Sequence, residues 1–147
     1  MSARLAPVFL LLLAALGCDG TTVEDAGPPA SGVILTATGV SERDSINGVA
    51  PRMGFKYYLI DVTIEARGVG PISIAPFAFE VALADGTRIT ADSRTNELAD
   101  GCTSQSIPVD GMVACRLAFS PLVDAPAPAT VRWTDGSRSA SAMVPPL

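Results

Sequence analysis

Apolar and polar residues alternate along this chain in short runs that Gly, Pro and Asp interrupt. The clearest run is "KYYLIDVTIEA" (56–66). Tyr58, Ile60, Val62 and Ile64 fall on one side of a period of two; Tyr57, Asp61, Thr63 and Glu65 fall on the other. That alternation, rich in β-branched and aromatic residues, predicts a half-buried strand. "VILTATGV" (33–40) predicts another, with Ile34, Thr36, Thr38 and Val40 on one face. "PISIA" (71–75) is a short strand that starts at a proline, where a missing N–H costs least. "FAFEVALADGTRITA" (77–91) predicts a hairpin: Phe77, Phe79, Val81 and Leu83 alternate, and Asp85-Gly86 supplies the turn. "MVACRLAFSP" (112–121) places Val113, Cys115, Leu117 and Phe119 together, and "TVRWTDGSRSASAMV" (130–144) repeats the Asp-Gly hairpin.

Between these runs lie a Gly/Pro-containing loop (41–55) and a polar stretch (92–107). No stretch after the first thirty-two residues carries a helical period. Seven to eight strands with regularly spaced turns predict an all-β domain over 33–147, an immunoglobulin-like antiparallel β-sandwich, with a small β-barrel as the alternative.

The first residues follow a different pattern. Arg4 precedes an apolar run from Leu5 to Leu16, broken only by Pro7. This is the layout of a secretory signal, and it falls short of the roughly 20 apolar residues of a spanning helix. The run stops at "LGCDG". Ala15-Leu16-Gly17-Cys18 resembles the lipobox of bacterial lipoproteins, with Ala15 and Leu16 where that motif usually has Leu and a small residue. The resemblance implies cleavage after Gly17 and attachment of diacylglycerol to Cys18. Segment 1–17 is then the signal peptide, and 18–32 the lipidated cysteine with a flexible linker, "DGTTVEDAGPPASG". As a coil, such a linker spans roughly 20 Å. The expected location is the bacterial cell envelope, with the domain held to a membrane by acyl chains and facing the periplasm or the exterior.

Cysteine parity agrees. The chain has three cysteines. An exported protein meets an oxidising compartment, where an odd free thiol is a liability. With Cys18 acylated, Cys102 and Cys115 remain, and they are expected to pair as a structural disulfide.

From Gly54 to Met143 the order of features resembles one family of bacterial envelope lipoproteins, the telomeric-repeat-binding-factor-like immunoprotective extracellular domain. The matching stretches are "GFKYYLIDVTIEARGVGPISI", "FEVALADGTRI" and "PVDGMVACRLAFS". Ala66-Arg67 stands where the family often has Asn, and the Cys102/Cys115 pair is not general to it. The resemblance implies a lipid-anchored, non-catalytic immunoglobulin-like domain.

Charge and chemistry narrow the functions. Removing residues 1–17 takes out Arg4 and no acid, leaving 9 basic and 15 acidic side chains, a net of −6. Scattered Lys and Arg on an acidic chain do not neutralise phosphates, so no nucleic-acid partner is expected. There is no histidine, which removes the commonest general base and transition-metal ligand. Serines lack an activating base, and Lys56 sits in no S-x-x-K context. No catalytic residue, metal site or cofactor is therefore expected. Met53, Met112 and Met143 are dispersed, and the sequence assigns them to filling gaps in the core. Trp133 is assigned to packing. Asp92, Glu97, Asp100 and Asp110 gather around the polar stretch, where calcium would accept oxygens, but no D-x-[DN]-x-[DN]-G loop is present.

Two classes of function follow. One is a lipid-anchored interaction or structural module with an unidentified protein partner. The other is a periplasmic carrier of a small ligand or calcium using 92–107. Loops 41–55 and 92–107 are the expected binding surface.

Overall fold

The computed structural model describes residues 32–147. Cys18, the signal segment and the linker up to residue 31 lie outside the described residues. The alternation read in 56–66 forms the central strand of the first layer. This strand, β2 (Tyr57–Arg67), lies between β1 (Gly32–Arg43) and β7 (Met112–Phe119), antiparallel to both. The second layer contains β4 (Phe79–Leu83), β5 (Arg88–Thr90), β8 (Pro128–Thr134) and β9 (Ser139–Met143), in the order β5-β4-β8-β9. A two-stranded ribbon of β3 (Ile72–Ile74) and β6 (Gln105–Ile107) completes the sheets. No ladder joins the layers into a barrel, so the architecture is a β-sandwich. The described residues hold nine strands, one more than expected.

The core lies between the layers. Ile60, Val62, Ile64, Leu117 and Phe119 of the first meet Phe79, Val81, Leu83, Val131 and Trp133 of the second, and Ile72, Ile74 and Ile107 of the ribbon join them. Burial of these apolar side chains, at about 25 cal/mol per Å², is the main force holding the layers together. Trp133 is a packing residue, as expected: its ring is buried, and its Nε1 donates to the Ser73 carbonyl at 3.3 Å.

Several assignments change, each for a local reason. In β1 the inward residues are Val33, Leu35, Ala37 and Val40, because the register slips between Ala37 and Gly39. A one-residue slip sends the following side chains to the other face. Val40 is therefore parted from Ile34, Thr36 and Thr38, which were read on the same face. Phe77 is 80 % exposed. Pro76 opens a 3₁₀ turn, η1 (Pro76–Ala78), and β4 begins only at Phe79, so Phe77 falls outside the strand alternation. Tyr57 keeps the face opposite Tyr58 but is buried there, with Ile46, Leu59 and Ala118, in a second small core on the outer face of the first layer. Met53, Met112 and Met143 are 96 %, 65 % and 75 % exposed, so they fill no core gaps.

The largest departure is the polar stretch 92–107. It contains a 3₁₀ turn, η2 (Ser93–Glu97), and ends in β6. Its first half runs along β7, the open edge of the three-stranded layer. Asp92 N donates to Ala118 O at 2.7 Å, Cys102 N to Arg116 O at 2.9 Å, and Arg116 N to Asp100 O at 2.8 Å. Thr95 is fully buried: its Oγ1 accepts from Ala118 N at 3.0 Å and faces Ala118 O at 3.5 Å. One hydroxyl thus does for Ala118 what a neighbouring strand would do. Cys102 and Cys115 are joined in a disulfide, with Cα atoms 4.9 Å apart, and so tie the stretch to β7 covalently. Closing a loop of this size contributes about 3 kcal/mol in the chain-entropy model. Gly101 has no room for a side chain, because a Cβ there would overlap the Thr95 carbonyl.

Replacing the hydroxyl of Thr95 with a methyl keeps the volume and orphans the buried Ala118 amide, while Ala118 O keeps its bond from Asp92 N. Thr95→Val is expected to lower stability by about 1–3 kcal/mol. Urea denaturation checks it; an unchanged midpoint would mean that Ala118 has another partner.

Candidate functional site

The two ends of the sandwich differ. At the end where β1 starts, Gly32 pairs with Arg67, and the 135–138 turn packs on the turn after β2. This near end receives the chain from residue 31. The far end collects 44–56, the Asp85-Gly86 turn and 120–127.

A groove of about 480 Å³ opens at the far end, lined by Phe55, Leu83, Ile89, Pro121 and Leu122 together with Asp85 and Asp124. Its volume lies within the usual range for ligand sites. Each wall has a local cause. Gly54 takes a positive φ of 84°, so the chain reverses before Phe55. Phe55 then bridges Leu122; Lys56 N donates to Pro121 O at 3.0 Å, and Val123 N to Gly54 O at 3.0 Å. On the opposite wall, Gly86 takes a φ of 86° between β4 and β5. Leu83 N donates to Thr87 O at 2.8 Å, which closes that hairpin. Phe55 and Ser120 are shared with a second recess that carries Ala50, Arg52, Tyr57, Asp92 and Arg94, so the two form one trough. The Arg52 guanidinium stands 6.0 Å from the centre of the Phe55 ring.

Asp85 is held below the usual carboxylate range, chiefly by the Thr87 amide, which donates to its Oδ1 at 2.9 Å. Asp135 does the same work in the near-end hairpin. It accepts from the Arg138 amide at 2.7 Å and the Ser137 amide at 3.0 Å, which brings it down to about 2.

The four acids of the polar stretch do not converge. Asp92 Oδ1 caps η2 by accepting from Arg94 N at 2.9 Å. Glu97 pairs with Arg94 at 2.7 Å, and Asp100 with Arg116 at 3.2 Å. Asp110 sits at the near end and accepts from Gly68 N at 2.7 Å. Among the described residues no group of three or more His, Cys, Asp or Glu is placed to hold a metal ion. Of the two loops expected to bind, 41–55 supplies Ala50, Arg52 and Phe55 to the trough, whereas most of 92–107 is spent on the β7 edge, adding Asp92 and Arg94 at one margin. The turn 120–126 was missed. Its signal was two prolines beside exposed Leu122 and Val123, a pairing that strand burial does not need.

No family model and no curated protein matches the chain. Two solved structures are similar to it. One is MPT63, a secreted protein from Mycobacterium tuberculosis, at 17 % identity and a TM-score of 0.53, covering 76 % of this chain and 81 % of that one. The other is the "putative lipoprotein" YcdA of Bacillus subtilis, at 13 % identity and a TM-score of 0.56 over 75 % of this chain. The chain spans about a third of the Bacillus protein, 35 %. At these identities the likeness is one of fold, and it agrees with the β-sandwich.

Both turn carboxylates should titrate below 3.8, Asp135 near 2. A depressed folded value stabilises the fold above the unfolded value and ceases to do so as the pH falls through the folded one. The support Asp135 gives its hairpin should therefore be complete above 3.8 and be lost as the pH falls from there to about 2. Carboxyl NMR titration checks this; a midpoint near 4 for Asp135 would contradict the capped turn.

Proposed function

We propose that this chain is a lipid-anchored module of the bacterial cell envelope that docks a protein partner without catalysis, using the trough at the end of the sandwich remote from its anchor. The observation that carries this reading is polarity along the strands. The chain enters at Gly32, and the Phe55–Leu122 trough opens beyond the other end of β1, a strand of 12 residues. At about 3.3 Å per residue this places the trough roughly 40 Å beyond the entry point. A domain tethered through Cys18 then presents the trough away from the membrane.

Three further observations support the reading. Apolar residues stay exposed at the far end: Val49, Met53, Leu122 and Val123. Exposed apolar residues gathered at one end of a fold are candidates for an interaction surface. The similar structures include a secreted protein and a "putative lipoprotein", which fits an exported chain. The motif resemblance to the immunoprotective extracellular domain family belongs to the same reading.

A photo-crosslinking residue introduced at Leu122 should capture a protein partner in intact envelopes, and one at Met112, at the near end, should not. Cys18→Ser should move the chain from the membrane to the soluble fraction. Equal capture at both positions, or a Cys18→Ser chain still in the membrane, would contradict the proposal.

A further inference from the structure

We infer that the occupant of the larger recess of the trough is an extended polypeptide segment in which an apolar side chain sits beside a lysine or arginine. The inference rests on the docking reading above and names the chemistry of its partner. Three features of the site select that chemistry.

The first is the make-up of the larger recess. Its floor is Phe55, Leu83, Ile89, Pro121 and Leu122, which takes an apolar side chain. Its only ionisable lining groups are Asp85 and Asp124. Neither forms an ion pair among the described residues, where the pairs use Glu42, Asp61, Glu65, Glu80, Glu97, Asp100 and Asp135. Two uncompensated carboxylates beside an apolar floor complement a cation next to a hydrophobe.

The second is the edge beside it. Ile89 belongs to β5, the outer strand of the four-stranded layer. An outer strand keeps a row of backbone groups free for another chain in the extended conformation. Unlike β7, it has no segment such as 92–102 laid along it among the described residues. An extended segment can therefore meet β5 through its backbone and the recess through alternate side chains.

The third concerns the other occupants. A second copy would bring the same acids and a mature charge of −6 to the same place, which opposes association. Gly32, the first described residue, lies at the opposite end.

The test uses the full-length chain in detergent and two fluorescent ten-residue peptides, one alternating valine with lysine and one alternating valine with glutamate. The lysine peptide should bind, and the glutamate peptide should bind at least tenfold more weakly. Asp85→Asn with Asp124→Asn should weaken the lysine peptide at least tenfold while leaving the chain folded by circular dichroism, since an asparagine oxygen still accepts from Thr87 N. Leu122→Glu should weaken it by removing the apolar floor. Equal binding of both peptides would overturn the inference about charge. If neither peptide binds while Leu122 still captures a partner in envelopes, the inference fails and the docking reading stands; if that capture is also absent, both fail. A dimer in sedimentation that Leu122→Glu dissolves would replace the peptide with a second copy and overturn the inference.

Discussion

An open sheet edge must be closed, and in this protein the closure of β7 determines what the rest of the chain is free to do. The three-stranded layer ends at β7, whose Arg116 and Ala118 present backbone groups outward. Unpaired, such an edge invites other chains. Residues 92–102 answer it with main-chain hydrogen bonds to Arg116 and Ala118, the Thr95 hydroxyl against Ala118, and the Cys102–Cys115 disulfide. Arg116 adds ion pairs to Asp61 at 2.6 Å and to Asp100 at 3.2 Å. They are partly exposed, so they fix position more than they stabilise. The same segment shelters Tyr57 and Leu59 on the outer face, with Asn47 Nδ2 donating to Glu97 O at 2.6 Å to bind the 44–49 turn to it.

Because the polar stretch is committed to this edge, the Phe55–Leu122 groove is built from the far-end turns instead. There the walls are turns whose shape is set by local devices: Gly54 and Gly86 at positive φ, the Phe55–Leu122 bridge, and the Thr87 amide on Asp85. The sandwich core beneath, Leu83 and Phe119 included, holds these turns in register. A rigid scaffold with binding placed on its end turns is the usual division of labour in such folds. Gly32, the first described residue, lies at the other end, so the proposed attachment and the proposed docking site fall at opposite ends of the strands.

Features governed by short-range pattern were legible in the amino-acid sequence. The inward face of β2, the Asp-Gly hairpins and the face carrying Val113, Cys115, Leu117 and Phe119 follow from period-two burial and turn chemistry alone. The pairing of Cys102 with Cys115 followed from parity. What was hidden depends on tertiary position. A bulge at Ala37–Gly39 reverses a face without changing composition. Pro76 diverts Phe77 into a 3₁₀ turn. Polarity in 92–107 reads as solvent exposure, yet the Thr95 hydroxyl satisfies a backbone group of β7 and the Asp92 carboxylate caps η2. The trough joins residues more than sixty positions apart, Phe55 and Leu122, and no local pattern announces that meeting.

Native-state hydrogen exchange of the oxidised protein tests the edge closure most directly. If 92–102 is part of the folded unit, the amides of Cys102, Arg116 and Ala118 will exchange only through global unfolding, with the same free energy as Ile60 in the central strand. Exchange of Cys102 and Ala118 orders of magnitude faster than Ile60 would show a loop that opens on its own, and would return 92–107 to the candidate binding surface.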